Sequence, residues 1–359
     1  MNDYDKCVRE GVVWNERLGE LDEILKKNPF LEVTSEWRTK CAEIRENRTD
    51  GADAKFILCS DEEWINEYNS RKRKNHDDLR LRINLIPQPF VGHPSAPIWI
   101  LMLNPGYSSR DEYDYLSVAE PNKLQMMNES RKKKQEVRVL PPSEDEWCAL
   151  EKRQEALLEQ LRFSAGSFHL LEKSFNSLPG LSNGGYKYWK SHLFGNDEQY
   201  FMSWFKKDAH VIASEKVFVL EMMPYHSKCF DDSILTSESW NKSKYAIFWR
   251  DLVNYGIGNN KVFFVRSPNK VIRQLSFDTT GLKDICLKVC GRFLVLANPQ
   301  GGRFTGRGLN VYLPLEDMMS KYVSMEQIVT NMRETRRRLL GIVPDNWNQV
   351  WRKCITVDE

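Results

Sequence analysis

Four short apolar runs constrain this chain more than any other feature. They are IWILML (98–103), VFVLEM (217–222), VFFV (262–265) and FLVLA (293–297). Each is nearly continuous in β-branched, aromatic or aliphatic residues and ends at turn-forming residues. A strand with one wet face alternates apolar and polar positions; a strand buried on both faces does not, and such strands belong to parallel sheets. Stretches with helical spacing lie between and beyond them: SEDEWCALEKRQEALLEQLRF (143–163), KYAIFWRDLVNYG (244–256) and PNKVIRQLSF (268–277). The alternation predicts an α/β fold, a central four-stranded parallel sheet flanked by helices.

Helical additions are expected at both ends. NERLGELDEILKKN places Leu18, Leu21, Ile24 and Leu25 on one face. SDEEWINEYNSRKRKN opens with Ser60 and Glu63 at capping-box spacing. SMEQIVTNMRETRRRLLGIV (324–343) reads as a basic helix. The proline-rich segment NLIPQPFVGHPSAP marks a boundary. The expected organisation is a helical N-terminal region over 1–83, an α/β core over 84–315 with an insertion at 112–210, and a helical extension over 316–359.

Charge and cysteine usage exclude several classes. The 359 residues carry a formal net charge of only +2, so a nucleic-acid surface has to come from local clustering of the 52 basic residues. RKRK (71–74) and RKKKQEVR (131–138) are such clusters, though runs of this kind are usually solvated faces. The N-terminus is charged and lacks the apolar segment of a signal peptide, and no stretch reaches the roughly 20 apolar residues of a membrane span. None of the eight cysteines forms a CxxC pair. The expectation is a cytoplasmic protein, a monomer without disulfides, metal, cofactor or membrane partner.

In open α/β sheets ligands bind beyond the carboxyl ends of the strands. The four exits read Asn104-Pro105-Gly106-Tyr107, Glu221-Met222-Met223-Pro224-Tyr225-His226, Arg266-Ser267-Pro268-Asn269-Lys270 and Asn298-Pro299-Gln300-Gly301-Gly302-Arg303. Each carries a proline and polar side chains, and four such exits at one end of a sheet make a site.

LNPGYSS at the first exit and NPQGGR at the fourth resemble the two signature motifs of the uracil-DNA glycosylase superfamily. The mismatch-specific branch, which carries Asn-Pro in both, is the closer likeness. The Ser-Pro exit of the third run is similar to the family's phosphate-gripping serine loop. The resemblance covers roughly residues 85–315. GHPS at 92–95 imitates the family's histidine motif but precedes the first strand, and is set aside.

The resemblance implies a DNA glycosylase that hydrolyses the N-glycosidic bond of a base flipped from double-stranded DNA. Asn104 would position the water and Asn298 would lie against the leaving base. Tyr107 would stack on that base, with Tyr225 and His226 as further substrate contacts. Ser267, Lys270, Gly301, Gly302, Arg303 and Arg307 would hold DNA. Glu221 departs from the family, which reads uracil with an asparagine at this exit. An ionised glutamate only accepts hydrogen bonds, which suits the exocyclic amine of cytosine or adenine. A modified cytosine of viral DNA is the expected base, with the insertion housing its substituent.

Each assignment has a plainer counterpart. Asn104-Pro105 is also a turn, Glu221 a salt-bridge or backbone partner, His226 a satisfied structural histidine, and Ser267 a helix cap. Helix packing accounts for Tyr188 and Trp189 in NGGYKYWKSH (183–192), while Lys187 and Lys190 could reach DNA. The rival functions are a catalytically inactive nucleic-acid binder and a hydrolase of free nucleosides.

Overall fold

The computed structural model describes residues 19–47, 54–71, 78–106, 144–163, 188–195, 209–277, 285, 288–296, 309–311 and 324–342. The strands are β1 (Phe90–Val91), β2 (Ile98–Met102), β3 (Val217–Glu221), β4 (Val262–Val265), β5 (Phe293–Leu296) and β6 (Leu309–Val311). The principal helices are α1 (Thr34–Glu46), α2 (Glu62–Arg71), α3 (Glu144–Leu161), α4 (Ala209–Lys216), α5 (Lys244–Gly258), α6 (Pro268–Leu275) and α7 (Met325–Ile342). All four apolar runs are strands, and all are parallel to their neighbours among themselves.

The sheet itself is larger than expected and mixed. Its six strands run in the order β1-β3-β2-β4-β5-β6, with β1 antiparallel to β3 and β6 antiparallel to β5. The four-stranded, purely parallel sheet is therefore corrected to a parallel centre with an antiparallel strand on each edge. β1 is two residues long and follows Pro87 and Pro89, and a proline-flanked strand is tolerated only at an edge. β6 is three residues long and gives too little pattern to read.

Burial explains the unbroken apolar runs. Every residue of β2, β3 and β4 is buried. Trp99 of β2 packs edge-on to Phe218 and Phe263, with ring centroids 4.9 Å and 5.7 Å away. α5 forms the crossover from β3 to β4 and begins at Ser243, whose hydroxyl accepts from the Ala246 amide. Its Tyr245, Phe248, Trp249, Leu252 and Val253 are all buried.

The N-terminal helices share this core. Phe30, Trp37 and Phe56 belong to one hydrophobic cluster with Phe90, Trp99 and Tyr245. The expected capping box of α2 does not form; Ser60 Oγ bonds the neighbouring Asp61 carboxylate, and a short 3-10 turn leads into the helix. α1 also anchors the insertion. The Arg38 guanidinium grips both oxygens of Glu155 at 3.1 Å and 3.0 Å, and reaches Glu159. On the far side of α3, the Gln160 carboxamide donates to the Gly92 carbonyl (2.9 Å) and accepts from the Gly92 amide (3.3 Å).

No helix among the described residues is long and apolar enough to cross a membrane. The described cysteines, Cys41, Cys59, Cys148, Cys229 and Cys290, are free thiols, and Cys286 lies outside the described residues.

Gly92 has φ of +86°, and a Cβ there would meet the Val217 carbonyl oxygen at 2.5 Å. Gly92→Ala should therefore cost about 2 kcal/mol or more of folding stability. Urea unfolding checks this, and an unchanged midpoint would mean that the turn has other room.

Candidate active site

The chain runs from β2 to β3 on one side and returns to β4 on the other. The order reverses between β2 and β4, and a crevice opens at such a reversal beyond the carboxyl ends. Asn104 leaves β2 on one bank and Ser267 leaves β4 on the other. Glu221, the last residue of β3, stands level with Met102 of β2.

The exits stay hydrogen-bonded after the strands end. The Met222 amide donates to the Met102 carbonyl (3.1 Å), Met223 to Leu103 (2.8 Å) and Ser227 to Pro105 (3.3 Å). On the other bank the Arg266 amide donates to Leu101 (3.1 Å). These bonds fix where the side chains of three exits begin.

Asn104 is oriented unambiguously by this frame. Its Nδ2 donates to the Ser227 carbonyl (2.8 Å), the Ser227 hydroxyl (2.9 Å) and the Pro105 carbonyl (2.9 Å). The Ser227 proton is committed to the Cys229 carbonyl at 2.8 Å, so that hydroxyl presents only lone pairs to Asn104. Three acceptors at one end identify it as the NH2 end. The carboxamide oxygen is then the free acceptor of the group, in a half-buried position.

Glu221 is buried, and its Oε2 has no hydrogen-bond partner. Burial pushes its carboxyl up to about 8, with the Arg266 guanidinium pulling the other way. At neutral pH the group is therefore mostly a carboxylic acid, which both donates and accepts. The ionised, acceptor-only glutamate of the sequence reading is corrected on this point: desolvation outweighs the one nearby cation.

Tyr188 joins this group from the insertion, and sequence reading assigned it to packing alone. Its hydroxyl is buried without a partner. Burial pushes the phenol up to about 12, Arg266 opposes this, and Glu221 adds to it. The ring stacks on His192 with centroids 3.8 Å apart and meets Trp189 edge-on. The one available signal was its place in an aromatic-basic stretch of an otherwise unassigned insertion.

Two expected substrate residues serve the frame instead. Tyr225 is fully buried; its hydroxyl donates to Asp61 (2.8 Å) and accepts from the Leu58 amide (3.2 Å). It ties the N-terminal region to the β3 exit, and no atom of it is left for a base. His226 is also buried, with Nδ1 facing the Gly106 carbonyl at 3.0 Å and Nε2 the Ile86 carbonyl at 3.2 Å. It is a structural histidine bracing the loop after Asn104.

On the opposite bank, Ser267 precedes α6 but makes no side-chain cap bond, and Pro268 occupies the first turn. Its hydroxyl remains available at a helix N-terminus, where anions bind readily. Lys270 is engaged: it pairs with Asp232 and lies 5.1 Å from the Phe230 ring centre. A phosphate contact from Lys270 has to displace Asp232. Tyr107, Asn298, Gly301, Gly302, Arg303 and Arg307 lie outside the described residues.

The 92–95 stretch sits at the other end of the sheet, against the start of β3, where His93 Nδ1 closes a turn with Ser95. Among the described residues no group of three or more His, Cys, Asp or Glu side chains is placed to hold a metal ion. Comparison with protein-family models, characterised proteins and solved structures gives no match.

Glu221 is held neutral by the fold but ionises freely when the chain unfolds. Above its ordinary value of 4.5 and up to about 8, the folded state therefore keeps a proton that the unfolded state releases, and stability falls as pH rises. Glu221→Gln removes that dependence. The variant should gain on the wild type by about 1–3 kcal/mol between pH 5 and pH 8. Thermal melts at both values measure it; a constant difference would show that the carboxylate is solvated.

Proposed function

We propose that this chain is a monofunctional DNA glycosylase, which hydrolyses the N-glycosidic bond of a flipped cytosine-type base and leaves an abasic site. One observation carries the reading most: the NH2 end of Asn104 is saturated by three protein oxygens, which leaves the amide oxygen as an oriented acceptor at the switch point of the sheet. An acceptor so fixed is what a nucleophilic water needs for positioning beneath a sugar. The likeness of the two Asn-Pro motifs to the uracil-DNA glycosylase superfamily supports the same assignment.

In the proposed mechanism the target nucleotide leaves the duplex and enters the crevice. Bond cleavage develops an oxocarbenium-like sugar, as in other glycoside hydrolysis. Asn104 holds the water against C1′; an amide cannot take its proton, so rate comes from placement and electrostatics. Ser267 and the first turn of α6 take a flanking phosphate, and Asn298 and Tyr107 lie against the base. Arg303, Arg307, Gly301 and Gly302 complete the DNA contact. Glu221 and Tyr188 are assigned to a base edge, and the insertion to a substituent on that base. Removal of modified bases from viral DNA is the biological role this chemistry fits.

Asn104→Ala should lower base release by roughly a hundredfold or more, while duplex binding stays within a few fold, because the residue serves the water. The assay incubates defined duplexes with enzyme and cleaves abasic sites with alkali. A duplex that is bound but never nicked by alkali would instead identify a non-catalytic binder. Near-wild-type release by Asn104→Ala would remove the central assignment.

A further inference from the structure

Glu221 has more than a matching role available to it. It is the last residue of β3, and its amide donates to the Pro89 carbonyl (2.7 Å) while its carbonyl accepts from the Tyr245 hydroxyl (2.5 Å). The backbone is therefore clamped from both sides, and the side chain begins one residue before the stitched exits that hold Asn104. Arg266 from the β4 exit acts on its carboxyl, and the Glu221 charge acts in turn on the phenols of Tyr188 from the insertion and Tyr245 from α5. Only one of them is a cation. The Tyr245 hydroxyl is spent on backbone, and the Tyr188 hydroxyl has no partner, like Glu221 Oε2 itself. A buried polar atom without a partner is costly unless a ligand completes it, and this region holds two.

We infer that Glu221 is the general acid of the reaction, passing its carboxyl proton to a ring nitrogen of the departing base, and that this step selects a base with a lone pair at that nitrogen. The inference rests on the glycosylase reading above. The N1–C1′ bond breaks and its electron pair stays with the base. The Glu221 proton moves to N3, so the base leaves neutral. Water oxygen bonds to C1′ and releases a proton to solvent, and the Glu221 carboxylate takes one back.

The chemistry discriminates where hydrogen-bond counting does not. A neutral carboxyl offers one donor and one acceptor, and this pairs equally well with N4–H2 and N3 of cytosine or with N3–H and O4 of uracil. Proton transfer, however, needs a basic site. Cytosine presents the N3 lone pair; in uracil N3 already carries a proton and the carbonyl oxygens are far weaker bases. Selection for cytosine-type bases is thus expected in the rate of bond breaking more than in binding. The unpartnered Tyr188 hydroxyl, which feels the Glu221 charge, is a further contact to the same edge.

The test follows single-turnover release from duplexes carrying cytosine, 5-methylcytosine or 5-hydroxymethylcytosine at pH 6 to 9.5. The wild-type rate should be level at low pH and fall tenfold per unit above about 8. Glu221→Gln, which keeps shape and polarity, should bind the duplex normally, release base roughly a hundredfold more slowly at pH 7, and show no such fall. Replacing N3 by a carbon, as in 3-deazacytosine, keeps the amine but removes the proton acceptor. The wild type should then be as slow as the variant, and the two changes together should cost no more than either alone. A level wild-type profile, near-normal release by Glu221→Gln, or fast release of the 3-deaza base would each overturn the acid role while leaving the glycosylase reading standing. Release of no base by the wild type would end both.

Discussion

The pairing of β2 with β3 continues beyond the strands, and the site depends on that continuation. Parallel strands usually part at their carboxyl ends, where loops diverge. Here amide-to-carbonyl bonds run from Met222, Met223 and Ser227 back to Met102, Leu103 and Pro105. The prolines at both exits remove donors that would compete, and they fix φ where the chain turns. Ser227 is thereby brought against Asn104 from a residue 123 positions away. An asparagine at the end of a buried strand can be a stop signal or a tool. Its three-fold anchoring ties the two exits together and leaves the amide oxygen unspent, which is the feature the proposed water-holding role uses.

Much of this fold was legible because parallel strands buried on both faces leave an unmistakable pattern. IWILM, VFVLE, VFFV and FLVL are strands as read, and α3, α5, α6 and α7 begin and end within a few residues of the expected positions. The two edge strands were not legible. Phe90–Val91 is too short for any periodicity to register, and its pairing to β3 is created by the sheet. The N-terminal helices read as a separate region because their sequence is charged. Their few apolar residues, Phe30 and Trp37 among them, are nonetheless part of the common core.

The site was legible in its positions and less so in its roles. Reading the strand exits together picked out Asn104, Glu221 and Ser267, which stand where β2, β3 and β4 end. It could not separate a tyrosine whose hydroxyl is spent on the frame from one whose hydroxyl is unspent. Tyr225 and Tyr188 are both aromatic residues near basic ones, yet Tyr225 spends its hydroxyl on the buried Asp61 and Tyr188 keeps its own unspent. That difference is made by partners distant in sequence, Asp61 lying 164 positions from Tyr225, and no local pattern encodes it. Likewise Lys270 reads as a free cation in sequence, whereas Asp232, far along the chain's path, lies within reach of it.

The protonation of Glu221 bears on why a carboxyl stands at this exit at all. A glutamine there would offer the same shape, one donor and one acceptor, and would not oppose folding at neutral pH. The carboxyl does oppose it: holding a proton up to about 8 instead of 4.5 costs a few kcal/mol near neutrality, at ~1.4 kcal/mol per pKa unit. Nothing in the surrounding structure recovers that cost, since Oε2 is unpartnered and Arg266 only partly offsets the burial. A buried group that destabilises its own fold at the carboxyl end of a sheet strand is what the proposed chemistry requires. Among what a carboxylic acid does that an amide cannot, the release of a proton is the property relevant to a departing base. The same reasoning applies in reverse to Asn104. A carboxylate there would take the water's proton, but it would also stand one strand away from Glu221, and two carboxyls so placed would raise each other's proton affinity. Under the proposed mechanism, an amide at the β2 exit and a carboxyl at the end of β3 divide water holding and proton donation between two different side chains.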